Sequence, residues 1–185
     1  MYVFKGRQEE LPVGLYSKVA NYRHKVFVER LGWQLKTFGN MEQDQFDRDD
    51  TIYVISRDEY GDISGCARLL PTTQPYLLGE VFPQLLNGMS IPNSPDVWEL
   101  SRFAAVDINA KATPEAGQFS SPIALMLLHE TITFAAEKGA KRVITVTGVG
   151  AERLLKRAGI NAHRVGPPII IDGHPILACW IEIDS

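Results

Sequence analysis

Trp98-Glu99-Leu100-Ser101-Arg102-Phe103-Ala104-Ala105-Val106 reads as an apolar strand that carries a carboxylate and a guanidinium among leucine, phenylalanine, alanine and valine. An ionised group taken out of water without a partner is strongly disfavoured, so such a strand must either pair Glu99 and Arg102 or use them. A structural ion pair on an edge strand accounts for both charges as well as a reactive site does. Period-two alternation sends the two side chains to opposite faces of a sheet, and they share a face only if a bulge intervenes.

Toward the C-terminus the pattern alternates helix and strand. Ser120-Ser121-Pro122 offers a cap and a first-turn proline for a helix through Ala124, Leu127, Leu128, Ile132, Ala135 and Ala136 that stops at Gly139. Residues 142–147 form a β-branched strand, Gly148-Val149-Gly150 a tight turn, and residues 151–158 a short helix ended by Gly159. Ile169-Ile170-Ile171, the Asp172-Gly173 turn and residues 176–183 make a closing hairpin. Toward the N-terminus, residues 51–57 and 63–70 read as two strands joined by a turn at 58–62, with Pro71 closing the second. Periodicity fails over 34–50, where acids accumulate in a long loop. Leu15, Val19, Tyr22 and Val26 recur at helical spacing, which predicts a helix over 13–29 that ends near Gly32.

Composition narrows the class. A chain of 185 residues with 45% hydrophobic content buries a sizeable core within the usual size of one domain. No run approaches the ~18 uninterrupted apolar residues of a membrane helix, so a cytoplasmic protein without a membrane partner is expected. Cys66 and Cys179 sit in apolar stretches and read as small buried hydrophobes. His24, His129, His163 and His174 show no metal-ligand spacing, and no metal site is expected. The chain carries a net −3, yet seven basic residues between Lys138 and Arg164 face Glu152 alone, which makes that window +6 and the remainder −9. Overall acidity and the lack of interleaved aromatics speak against nucleic acid as the partner of this window; a small acidic protein fits better, and a solvated face fits the charge equally well.

Arg23, Phe27 and Trp33 near the N-terminus, Asp44 and Asp47 in the loop, Arg68 on the second hairpin strand, and Glu99 with Arg102 on the central strand match, in order, the signature of a known family. Over most of its length the chain resembles the acyl-homoserine lactone synthases, the autoinducer synthases of bacterial quorum sensing. The resemblance implies a fold similar to the GNAT acetyltransferases. Combined with the element order, it predicts a single α/β domain over residues 1–185, a three-layer sandwich around a mixed, mostly antiparallel twisted sheet. It also implies the reaction: S-adenosylmethionine, consumed as a substrate with no separate cofactor, is joined to a medium-chain acyl group delivered by acyl carrier protein. Amide formation precedes lactonisation, and methylthioadenosine leaves.

Residue chemistry suits these roles. S-adenosylmethionine offers an ammonium, a sulfonium, a carboxylate and an adenine, and Arg23, Phe27, Trp33, Asp44, Asp47 and Arg68 supply both signs of charge and two aromatic faces. An α-ammonium with a pKa of about 8 must lose a proton before it attacks a thioester, and Glu99 is the candidate base, with Arg102 as its catalytic partner. Residues 1–50, whose stretch from 23 onward mixes aromatics, charge and little periodicity, are expected to be mobile until they close over substrate. Leu100, Leu125, Met126, Leu128, Val146, Leu154 and Ile170 are candidates for an acyl tunnel between sheet and long helix, each equally well explained as core. Thr145 and Thr147, which share one strand face, join this pocket because the resemblance implies a threonine there linked to preference for an oxidised third carbon. Arg153, Lys156 and Arg157 are the candidate docking face for the acidic carrier. Two other classes stay open. A GNAT enzyme acting on acyl-CoA usually has an Arg/Gln-x-x-Gly-x-Gly/Ala phosphate loop, and Gly148-Val149-Gly150 lacks its leading Arg or Gln. A non-catalytic sensor of acyl chains or adenosylmethionine would release no methylthioadenosine.

Overall fold

In the computed structural model, which describes residues 2–109 and 123–183, the chain opens with strand β1 (Tyr2–Arg7) and helix α1 (Leu15–Arg23), which runs on into a wider π-helical segment, His24–Arg30. Short strands β2 (Thr37–Phe38) and β3 (Met41–Glu42) precede β4 (Ile52–Arg57) and β5 (Ile63–Pro71). A five-residue helix α2 (Leu77–Val81) leads to β6 (Val97–Ala104) and α3 (Ala124–Glu137). β7 (Arg142–Gly148), α4 (Val149–Arg157), β8 (Ala162–Arg164), β9 (Ile169–Ile171) and β10 (His174–Glu182) complete the order. The fold is mixed α/β with a mostly antiparallel sheet, as expected; the β6–β7 pair is parallel, while β1–β4, β7–β10, β8–β10 and β9–β10 are antiparallel.

The contacts divide the chain into two compact units. The first, Met1–Arg68 with Arg102–Thr131, carries strands in the order β1-β4-β5-β6 and the helix α1. Leu15, Val19, Tyr22 and Val26 pack with Tyr53, Ile55, Ile63, Cys66, Ala104 and Val106 in its core, so the helical spacing read from the sequence is the buried face of α1 and of the π-helical segment that continues it. The second, Leu69–Ser101 with Ile132–Ser185, carries β6-β7-β10-β8 with β9 on β10, and buries Leu78, Leu100, Val143, Ile144, Leu155, Leu177 and Ile181.

Helix stops fall where the glycines predict. Gly139 (φ +91°) donates to Ala136 O while Ala140 donates to Ala135 O, and Gly159 (φ +70°) with Ile160 repeats the pattern on Lys156 and Leu155, so both helices end in Schellman motifs. The Asp172-Gly173 turn has positive φ at both residues, as a two-residue hairpin requires. Asp58 accepts the N–H groups of Tyr60 and Asp62 and closes the β4–β5 turn. The Ser120-Ser121-Pro122 cap lies outside the described residues.

Four expectations are corrected. β6 has a strand on either side, so Glu99 and Arg102 are not on an edge. Gly148 is extended (φ −79°, ψ 163°) and caps α4 directly, so the strand enters the helix without an intervening turn. The stretch 34–50 contains the β2–β3 pair, with Thr37 opposite Glu42 and Phe38 opposite Met41. β1, α2 and β8 are unforeseen elements of three to six residues. Among the described residues no helix is long and apolar enough to cross a membrane, and Cys66 and Cys179 are buried free thiols.

Candidate functional site

The turn after β3 is built by its own carboxylates. Asp44 Oδ1 accepts Phe46 N–H at 2.9 Å, Asp47 Oδ2 accepts Asp44 N–H at 2.9 Å, and Thr51 Oγ1 donates to Phe46 O at 2.6 Å. These local bonds turn the acids of 42–47 inward. There they meet three arginines from three elements. Arg23 on α1 reaches Glu42 through Nε at 2.6 Å and grips both oxygens of Asp47 at 2.7 and 3.0 Å. Arg68 on β5 holds both oxygens of Asp44 at 2.6 and 3.1 Å and lies 3.3 Å from Asp47. Arg102 on β6 spans Glu42 at 3.0 Å and Asp44 at 2.8 Å. Tyr53 donates to Asp47 Oδ1 at 2.9 Å.

Three cations and three anions thus neutralise one another; Arg23 is 1% and Glu42 and Arg68 are 0% exposed, while Asp44 and Asp47 are half-buried. Bidentate guanidinium–carboxylate geometry is what makes such burial tolerable. Burial alone would raise the carboxyl of Asp47, but Arg23 and then Arg68 hold it well below the usual carboxylate range. Asp44 is likewise lowered by Arg68 and Arg102 against the penalty of burial. Burial tends to strip Arg23 of its proton, and Asp47 and Glu42 more than reverse this. Arg102 moves the other way: burial and then the neighbouring Arg68 lower it.

Arg102 also departs from regular strand geometry. Its backbone is left-handed, φ +50°, in the middle of β6, so the regular two-residue alternation breaks at this residue. The Cys66 thiol, pushed up to about 12 by burial, donates to Arg102 O at 3.3 Å. The Arg102 guanidinium lies 5.9 Å from the centre of the Phe27 ring, and that ring stacks on Trp33 with centroids 4.9 Å apart and planes 20° apart. The structure therefore brings Arg23, Phe27, Trp33, Asp44, Asp47, Arg68 and Arg102 into one connected set. A small cavity of about 220 Å³ opens on it, lined by Lys36, Phe38, Gln43, Asp44, Gln45 and Asp47.

Glu99 lies in the second unit and is fully buried. Its two oxygens accept the N–H groups of Leu77 at 3.1 Å and Leu78 at 2.6 Å, the first residues of α2. Tyr76, next to this helix start, has its phenol raised above the ordinary range by burial and by the Glu99 charge. Leu100 stands in register with Thr145 across the β6–β7 pair. Thr145, Thr147 and Leu154 are buried and Val146 is half-buried, whereas Leu125 is 38% exposed and Met126 half-buried on α3, whose buried face is Ala124, Leu127 and Leu128. Arg153, Lys156 and Arg157 are exposed on α4. The basic window is partly neutralised: Lys141 pairs with Asp96, Arg142 with Glu182, and Lys156 and Arg164 with Glu152.

Sequence reasoning missed Glu42 and Tyr53. Glu42 bridges Arg23 to Arg102, and its signal was its place at the head of the acids at 42, 44 and 47. Tyr53 carried none, because an aromatic in a strand reads as core.

Residues 12–185 match the profile of the autoinducer synthases. The chain belongs to that family. It is 54% identical over 183 residues to an acyl-homoserine-lactone synthase of Acinetobacter nosocomialis, covering 99% of this chain and all of the relative. Among solved structures, TofI in a ternary complex with an inhibitor and MTA superposes with a TM-score of 0.85 at 47% identity, covering 100% of this chain and 92% of that one. A Lactobacillus plantarum protein assigned to the N-acetyltransferases shares the fold alone, with a TM-score of 0.61 at 16% identity over 98% and 97% of the two chains. The synthase is accordingly an acyltransferase.

Proposed function

We propose that the synthase makes an N-acyl-L-homoserine lactone from S-adenosylmethionine and a medium-chain acyl group carried by acyl carrier protein. The observation that carries this reading is the joining of both signs of charge and a stacked aromatic pair in one place, Arg23, Asp44, Asp47, Arg68 and Arg102 beside Phe27 and Trp33. A substrate with an ammonium, a sulfonium, a carboxylate and an adenine needs such a surface. TofI, which binds MTA, supports the same reading. Because the charges are already paired, the network acts as a rigid frame that orients the substrate at little reorganisation cost.

The α-amine of S-adenosylmethionine attacks the thioester carbonyl, the carbon–sulfur bond breaks so that the carrier leaves as thiolate, and the amine proton passes to Glu99 directly or through water and from there to the thiolate. The substrate carboxylate then attacks its own γ-carbon, the carbon–sulfur bond breaks with its electron pair going to sulfur, and methylthioadenosine departs. Holding the chain curled is what this second step asks of the protein. Leu100, Thr145, Val146, Thr147 and Leu154, with Met126 and Leu125 of α3, are the proposed acyl contacts. Arg153, Lys156 and Arg157 are the proposed carrier contacts.

Purified protein given S-adenosylmethionine and a series of acyl carrier proteins and acyl-CoAs is expected to release lactone and methylthioadenosine. Folded protein that releases neither is a sensor, and turnover with acyl-CoA alone assigns the other donor. Within residues 1–50, the stretches outside this ion-pair network are proposed to close over S-adenosylmethionine; slower hydrogen exchange there on ligand addition supports this, and equal exchange removes it.

A further inference from the structure

We propose that Tyr22 is a positioning residue that sets the spacing between Arg23 and Arg102, and so shapes the S-adenosylmethionine side of the site. This rests on the reading of the network given above. Tyr22 is 1% exposed, and a buried phenol must place its hydroxyl on a partner. The Tyr22 oxygen accepts the Val106 N–H at 2.8 Å, and its one proton goes to Val106 O at 3.0 Å, with Ser64 O a longer alternative at 3.3 Å. Burial lifts this phenol well above its ordinary range, which keeps it protonated and able to donate. Val106 lies beyond the end of β6 at Ala104, so the hydroxyl of a helix residue serves the peptide there as a strand neighbour would.

The consequence is a closed ring of contacts through three segments. Tyr22 joins α1 to Val106; the chain runs back four residues to Arg102; Arg102 binds Glu42 on β3; Glu42 binds Arg23; and Arg23 adjoins Tyr22 on α1. Three of these corners differ in stiffness. Arginine and glutamate reach each other through long side chains that tolerate shifts of the backbone. Tyr22 has two side-chain torsions and grips a main-chain peptide on both its donor and its acceptor. The register of α1 against the end of β6 is therefore set at Tyr22, and the ionic corners follow. Arg102 needs such support, because its φ of +50° is a conformation that persists only where the surroundings over-determine it. The same helical run carries Phe27, whose ring faces the Arg102 guanidinium.

Tyr22→Phe keeps the ring and removes the hydroxyl. Kinetics well below the melting temperature are expected to show the KM for S-adenosylmethionine raised roughly three- to tenfold, with the KM for the acyl donor unchanged and the Val106 amide exchanging faster. Val19→Ala, one turn earlier in the same core, lowers the melting temperature through a cavity and leaves both KM values in place. Tyr22→Phe that behaves like Val19→Ala, or that raises both KM values together, overturns the proposal. A wild-type protein that releases no methylthioadenosine refutes the substrate reading instead. The proposal is then decided without substrate, by a double-mutant cycle of Tyr22→Phe with Arg102→Lys on unfolding stability: coupling supports it and additivity overturns it.

Discussion

The network around Glu42 and the carboxylate of Glu99 hold buried negative charge in two different ways. In the first unit, carboxylates are matched one for one by guanidiniums on α1, β5 and β6, so the charges belong to several elements and tie them together. In the second, Glu99 is held by two backbone N–H groups at the start of α2. A helix start offers partial charge rather than a full counter-charge, so these two bonds hold Glu99 differently from the guanidinium grips on Asp44 and Asp47. The contrast is between acids gripped by guanidiniums and a carboxylate seated on main-chain amides, and the proposed roles of frame and base follow that division.

The hardest test of the frame is the removal of one guanidinium. Arg68→Ala leaves Asp44 with a broken bidentate pair, and urea unfolding is expected to lose about 3–5 kcal/mol. A loss within ordinary surface effects would show that the network is not a frame. Glu99→Gln tests the other side. Glutamine keeps one oxygen for one of the two N–H donors and turns an NH2 toward the other, so some stability goes with the charge, but the expected signature is a fall in turnover of roughly a hundredfold or more in the protein that remains folded. Turnover near wild type with a lowered melting temperature would make Glu99 a helix anchor only.

Acid separates the two regions further. The folded-state pKa values of Asp44 and Asp47 are depressed, so their stabilisation is present in full above the ordinary carboxylate value near ~4 and drains away as pH falls below it. Unfolding free energy measured from pH 6 to pH 3 should decline on this acid limb, and Asp47→Asn should flatten the slope while lowering the plateau. An unchanged slope would assign the acid sensitivity elsewhere. The smallest effect belongs to solvated charge. Reversing Arg153, Lys156 and Arg157 to Glu is expected to raise the KM for acyl carrier protein several-fold, to leave that for S-adenosylmethionine in place, and to be mimicked by added salt. Equal effects on both substrates would reduce α4 to an ordinary surface.

Much of the fold was legible because its signals are local. The spacing of Leu15, Val19, Tyr22 and Val26, the stops at Gly139 and Gly159, and the Asp172-Gly173 turn each depend on residues within a few positions of one another. β1, α2 and β8 were not legible, since elements this short draw their stability from the partners they meet: Phe4 opposite Ile55, the Leu77 and Leu78 amides on Glu99, His163 opposite Trp180. The site divides in the same way. Both signs of charge and the aromatics were visible along the chain, and the pattern of eight positions was enough to indicate the family.

What the sequence determined by itself is the inventory: which charges, which aromatic faces, which helices and turns, and that the strand-like run 98–106 carries two ions where a core strand carries none. Only tertiary structure decided who meets whom. It placed Glu42 between Arg23 and Arg102, gave Arg102 a left-handed backbone that breaks the alternation, and set Glu99 on a helix start. The physical reason is that a salt bridge between residues 60 apart has no local signature. Its energy appears only after the chain has closed and water has been removed from both partners.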